Sequence, residues 1–203
     1  MGKDQNTDYY LWKSFKEGEK NSFSNLYDQY ADSLYSFGMH FSNDKEFIKD
    51  CIHDLFLDLY KYRDNLSMTD NIRFYLLRSL RRKIHHEKNK TIHLIYDNND
   101  KSYNENQVLA FEETIIASEI EKENFDVLKK AMLSLTDRQR EGLSLKFEHN
   151  LAYPEIAKIM DMSVESARTS IYRALKLLRK SINNGKSSIQ LLFFLSRYSI
   201  LSV

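Results

Sequence analysis

The sequence is poor in residues that interrupt helices, with 5 glycines and 1 proline among 203 residues. Turn dipeptides of the hairpin kind are nearly absent too, so an all-helical fold is favoured over sheets built from hairpins. A single cysteine excludes an internal disulfide. Cys51 falls on an apolar helical face, which suits a core residue in a reducing compartment better than a nucleophile. A Gly-rich phosphate loop, a Cys and His cluster and a convincing nucleophile with its base are all lacking. The chain therefore reads as a non-enzyme with no catalytic residue, metal site, cofactor or small-molecule substrate. His85 and His86 beside Glu87 make no metal site, because adjacent residues of a helix point apart. No secretory signal or membrane-spanning run stands at the N-terminus, and Asn6 occupies the place where myristoylation requires Ser or Thr. A cytoplasmic protein is expected.

What is present is enough apolar material, 42% of residues, to bury a real core in one domain or two small ones. The net charge of +1 is uninformative until it is cut into segments. Residues 73–90 hold 7 Lys or Arg against the single Glu87, whereas 97–126 hold 9 Asp or Glu against Lys101 and Lys122. A neutral total thus hides a basic patch and an acidic connector, the distribution expected when different parts meet different partners.

The most informative stretch is 151–175, LAYPEIAKIMDMSVESARTSIYRAL, in which two apolar-periodic segments flank a short break. Tyr153, Ile156, Ala157 and Met160 share one face of the first, with Pro154 in the first turn, where a missing N–H costs nothing. Ala157 is small enough to let a second helix cross closely. Ser163 fits an N-cap for the second segment, and Val164, Ala167, Ile171, Ala174 and Leu178 follow its 3.6-residue period. Glu165, Thr169, Arg173 and Lys176 then project from the opposite side. That is the pattern of a helix-turn-helix whose second helix can enter a major groove. Glu165, Ser166 and Thr169 suit base edges, and Arg173 and Lys176 suit phosphates. An ordinary helical hairpin with a solvated polar face is the plainer reading.

Earlier in the chain, Phe23, Leu26, Tyr27, Tyr30, Leu34, Phe37 and Phe41 predict a long amphipathic helix ended by Ser42-Asn43-Asp44. A second helix has Phe47, Ile48, Cys51, Ile52, Leu55, Phe56 and Leu59 inward, leaving Asp50, His53, Asp54 and Asp58 on an acidic edge that is either a docking surface or plain solvation. Residues 61–72 read as a loop. In RFYLLRSLRRKIHHEKNK, Phe74, Leu77, Leu80 and Ile84 are expected inward, while Arg78, Arg81, Arg82 and Lys88, with Tyr75 nearby, make a basic surface bearing an aromatic. Such a surface suits partly melted DNA, and a merely soluble basic helix would look similar. An apolar patch, Ile92 to Tyr96, opens a linker whose acidity either mimics nucleic acid in a basic channel or keeps a flexible segment soluble. The second domain starts near Glu121 with Phe125, Leu128, Met132 and Leu135. Thr136 and Gln139 have capping-box spacing for a helix through Leu143 and Phe147. The tail IQLLFFLSRYSILSV is apolar, yet its 7 residues from Ile189 to Leu195 fall short of the roughly 20 that span a bilayer. It reads as a helix folded back on the second domain, a partner-binding segment or a membrane-surface contact.

Taken together, the two helical modules, the basic aromatic helix, the acidic linker and the C-terminal helix-turn-helix resemble bacterial RNA polymerase sigma factors of the extracytoplasmic-function type, in the sigma-70 family. The similarity runs over roughly residues 10 to 183. It is carried most closely by KDCIHDLFLDLY and by LTDRQREGLSLKFEHNLAYPEIAKIMDMSVESARTSIYRALKLLR. It implies a polymerase-binding and minus-ten domain at 10–90, a flexible acidic linker at 91–120, a minus-thirty-five domain at 121–183 and an extension at 184–203. By the same resemblance, Asp50, His53 and Asp54 would touch the clamp helices of the polymerase largest subunit, with His53 where the family usually has Gln. The loop from Asn65 to Asn71 would receive a flipped base. Tyr75, Arg78, Arg81, Arg82 and Lys83 would lie beside the melted strand, Arg82 replacing a frequent Asn and His85 a frequent Asp. Glu165, Ser166, Arg168, Thr169, Arg173 and Lys176 would face the minus-thirty-five element, Glu165 standing in for a common Gly. Core RNA polymerase, promoter DNA and an anti-sigma factor are the implied partners. The alternatives are a helix-turn-helix regulator independent of polymerase, whose first module senses a ligand or dimerises, and an adaptor with a degenerate helix-turn-helix.

Overall fold

Four helices build the first part of the chain, in a computed structural model that describes residues 3–97 and 130–182. They are α1 (Lys3–Lys16), α2 (Ser22–Gly38), α3 (Lys45–Lys61) and α4 (Ile72–Asp97), with a 3-10 turn at Arg63–Asn65 between the last two. The described residues fall into two compact units, the first ending with α4 and the second beginning at Lys130. All regular structure among the described residues is helical.

In the first unit α2 packs on α1, α3 and α4, and its stripe of Leu26, Tyr30, Leu34 and Phe37 is buried as the period predicts. The helix ends at Gly38, earlier than expected. A Cβ at that position would lie 2.5 Å from Ile48 Cγ2, so only glycine admits the close approach of α3. Phe41 is buried beyond the helix end, its ring 5.1 Å from that of Phe37. Asp44 both follows this break and starts α3, its side chain accepting from the N–H groups of Glu46 and Phe47 at 3.1 Å each. Helix α3 buries Ile48, Cys51, Ile52, Leu55, Phe56 and Leu59.

Two features depart from the sequence reading. Helix α1 was not expected, yet it contributes the fully buried Trp12 and Phe15, and Tyr30 Oη donates to Asp8 Oδ1 at 2.7 Å to fix it on α2. Helix α4 runs on to Asp97 through the patch expected to open the linker. The rest of that linker, the predicted start of the second domain from Glu121 to Leu128, and the tail from 184 lie outside the described residues.

The second unit begins with a helical stretch at 130–133 and continues with α5 (Asp137–Phe147), α6 (Tyr153–Ile159) and α7 (Val164–Ile182). The predicted capping box closes α5. Gln139 N–H donates to Thr136 Oγ1 at 3.3 Å, and Thr136 N–H to Gln139 Oε1 at 3.0 Å. The buried Arg140 donates to Leu135 O at 2.6 Å and pairs with Asp137, tying α5 to the turn before it. Where α5 crosses α7, a Cβ on Gly142 would stand 3.2 Å from Ile171 Cγ1. Between α6 and α7 the chain turns sharply at Asp161, which has φ 50°, and Met162 N–H donates back to Ala157 O at 3.0 Å. Ala157 is buried at this crossing.

Candidate nucleic-acid interface

The second helix of the helix-turn-helix, α7, is capped as predicted, with Ser166 N–H donating to Ser163 Oγ at 3.1 Å. Ala167, Ile171, Ala174 and Leu178 are buried, which rotates Glu165, Ser166, Arg168, Thr169, Arg173 and Lys176 outward, and all six are exposed. Val164 departs from the expected stripe at 37% exposed, because it sits in the first turn before α7 meets its neighbours. Ser163 Oγ also donates to Ser166 Oγ at 2.8 Å, so the Ser166 hydroxyl accepts from the cap and keeps its own hydrogen to offer. Arg168 is held from behind: its guanidinium lies 5.3 Å from the centre of the Tyr153 ring, which also receives Lys146 Nζ at 4.9 Å. Tyr172 is 62% exposed on the same outward face and was not singled out from the sequence. The spacing that links Thr169 to Arg173 and Lys176 would have found it, since Tyr172 follows Arg168 by one turn.

On α3, Asp50, His53 and Asp54 are exposed, opposite the face that buries Cys51, Ile52, Leu55 and Phe56. Asp58 extends the acidic edge. Burial, and after it the Glu87 carboxylate, pushes the Cys51 thiol up to about 11, which leaves a neutral core side chain rather than a nucleophile.

Helix α4 corrects the predicted basic surface. Its buried residues are Ile72, Leu76, Leu77, Leu80 and Ile84, a wider face than expected, because α4 packs on α1, α2 and α3 together. Arg81 falls at the edge of that face and is only 8% exposed, so it does not belong to an open DNA surface. Lys83 is turned toward α3, 2.7 Å from Asp58 Oδ2 and 3.8 Å from Asp54 Oδ2, with its side chain 18% exposed. Lys88, also placed on that surface by the sequence, donates to Phe41 O instead. Tyr75 is half-buried with its ring 5.1 Å from that of Trp12, and Arg78 is half-buried as well. Arg82 is exposed as predicted, and Arg73, which the sequence reading passed over, is exposed in the first turn of α4, two residues after Asn71.

Residues 125–178 match the family model described as Sigma-70, region 4. That span contains α5, α6 and the whole outward face of α7 from Glu165 to Lys176. Over 184 residues the chain is 22% identical to the ECF RNA polymerase sigma factor SigW of Bacillus subtilis (strain 168), covering 85% of this chain and 95% of that protein. The second unit thus carries a sigma-70 region 4, and the chain as a whole is similar to an extracytoplasmic-function sigma factor over most of its length.

The fold is also similar to that of solved structures. It is similar to the sigma factor RpoE of Bartonella quintana, solved with the anti-sigma factor NepR, at a TM-score of 0.59 and 18% identity, covering 82% of this chain and 100% of that one. It is likewise similar to CnrH, solved with the cytosolic domain of CnrY, at a TM-score of 0.57 and 16% identity, covering 88% and 99%. At these identities the likeness speaks for the fold. No helix among the described residues is long and apolar enough to cross a membrane.

Proposed function

We propose that the chain acts as an extracytoplasmic-function sigma factor that divides promoter recognition between two surfaces and gives polymerase binding to a third, each on a different helix. The exposed edge of α3, with Asp50, His53 and Asp54, docks on core RNA polymerase. The loop from Asn65 to Asn71, with Arg73, Arg78 and Arg82 of α4 beside it, receives the melted minus-ten strand, where basic side chains hold phosphates while the loop reads a base. Arg81 and Lys83 serve that surface from within, by packing and by pairing with α3. Helix α7 reads the minus-thirty-five element, with Glu165, Ser166 and Thr169 toward base edges and Arg168, Arg173 and Lys176 toward phosphates.

The observation that carries the reading is the geometry of α7: six polar or charged side chains exposed on one face, with the opposite face buried against α5 and α6. Because both DNA-reading modules are mounted on one polymerase, the second contact is intramolecular and neither needs high affinity alone. The protein acts by binding and catalyses no reaction of its own, in the cytoplasm where polymerase works. An anti-sigma factor is the expected restraint, since RpoE of Bartonella quintana is solved with one. Transcription from a promoter library by purified core RNA polymerase, with and without the protein, tests the reading. Start sites that appear only with the protein support it. Binding of duplex DNA without any effect on core polymerase would replace it with a polymerase-independent regulator.

A further inference from the structure

The loop that would meet the melted strand is held from a distant part of the chain. After the 3-10 turn, Leu66 N–H donates to Arg63 O at 3.2 Å. At the other end, Asn71 Oδ1 accepts from Phe74 N–H at 3.0 Å and so caps α4. Between these ends, two loop carbonyls are gripped by α1. Trp12 Nε1 donates to Ser67 O at 2.9 Å, and Lys16 Nζ donates to Leu66 O. Trp12 is fully buried, and its ring also packs on Tyr75 in the first turn of α4. One side chain therefore touches both the loop and the first turn of the helix that follows it. Both bonds go to backbone oxygens, so they fix the main chain and leave the side chains of Ser67, Met68 and Asp70 exposed. An open cleft of about 320 Å³, lined by Tyr9, Lys13, Lys16, Glu17, Asp64 and Met68, lies between α1 and this segment.

We propose that Trp12 and Lys16 are positioning residues for base selection: acting through the loop's main chain, they set which unpaired base the loop accepts. The inference rests on the reading above that this loop receives a base of the minus-ten strand. Discrimination between bases requires the recognising groups to be held close to one geometry, and within the seven-residue loop from Asn65 to Asn71 the bond from Asn71 N–H to Thr69 Oγ1 at 3.1 Å restrains only its last residues. The grip from α1 provides that restraint. It also gives α1, which carries none of the predicted contact residues, a part in specificity.

The test uses the full chain bound to core polymerase and fluorescent single-stranded oligonucleotides spanning the minus-ten element, each position varied through the four bases. Trp12→Phe keeps the ring and loses the donor, while Lys16→Met keeps the stem and loses the charge. Each should lower discrimination about fivefold at the loop's position, the loss expected for one hydrogen bond. Minus-thirty-five duplex binding should be unchanged, and Lys16→Arg should restore the preference. Wild-type discrimination in both variants, or a uniform loss of affinity with the base ratios unchanged, overturns the proposal. Should Trp12→Phe unfold the first unit, the half-exposed Lys16 decides alone. If the wild-type protein shows no base preference at any position, it is the loop's assignment that fails, and the proposal with it.

Discussion

Replacing Tyr153 with leucine should weaken minus-thirty-five binding without touching a residue that faces DNA. The Tyr153 ring lies under two cations, Arg168 at 5.3 Å and Lys146 at 4.9 Å. Of these only Arg168 stands on the outward face of α7, while Lys146 is anchored independently by donating to Leu151 O at 3.2 Å. The loss felt by DNA is therefore one cation–π contact at an exposed site, about 0.5–1 kcal/mol, or roughly two- to fivefold in Kd. Tyr153→Leu keeps an apolar side chain at a half-buried position, and Tyr153→Phe keeps the ring face on which the cation sits. Fluorescence anisotropy with a minus-thirty-five duplex, at several salt concentrations, separates the possibilities. The leucine variant should bind more weakly with the same slope of log K against log salt, because the number of phosphates neutralised does not change. The phenylalanine variant should bind as wild type does. Equal weakening by both substitutions, or none by leucine, would show that the ring does not position Arg168.

Arg173→Ala should instead lower the salt slope by about one and weaken binding evenly across sequences; a change confined to one promoter base would refute a phosphate contact. Asp54→Arg should abolish copurification with core polymerase while duplex binding persists, because Lys83 remains held by Asp58 at 2.7 Å and the fold has another anchor; normal holoenzyme formation would remove the docking assignment. The buried Cys51 should resist alkylation at pH 8 in the folded protein and react once it is unfolded, with prompt native-state labelling as the contrary result. The folded thiol sits at about 11 against an ordinary 9.0, so the native state holds its proton longer than the unfolded chain. Stability should therefore fall as pH rises through that window and be unaffected by this group below it, as chemical denaturation at pH 8, 9 and 10 would show.

The helix-turn-helix was legible because its signals are local. Pro154, the Ser163 cap, the Thr136 and Gln139 box and the stripe from Ala167 to Leu178 each depend on residues within a few positions, and each takes the predicted place. Helix α1 was missed for the opposite reason. Among its described side chains only Trp12 and Phe15 are buried, too few for a period, and its hold on Ser67 and Leu66 spans some fifty residues of sequence, which no local pattern reports. Gly142 and Gly38 belong to the same class. A Cβ would collide with Ile48 at Gly38 and crowd Ile171 at Gly142, and each of those side chains is on another helix, invisible from the glycine's own neighbours.

The contrast between α7 and α4 shows why the two candidate surfaces were not equally readable. Helix α7 meets α5 and α6 on one side, so its buried stripe determines its exposed face by simple opposition, and all six predicted residues fall outside. Helix α4 is enclosed by α1, α2 and α3, and a helix with three neighbours has no single opposite face. Its arginines and lysines are then sorted by which neighbour they meet: Arg81 is buried, Lys83 goes to Asp58, and Arg73 and Arg82 remain in solvent. The basic surface left for a melted strand is narrower than the sequence promised. A narrow electrostatic surface holds phosphates without distinguishing bases, so on the reading proposed above selectivity in the first unit would fall on the loop from Asn65 to Asn71 and on the residues that hold its shape.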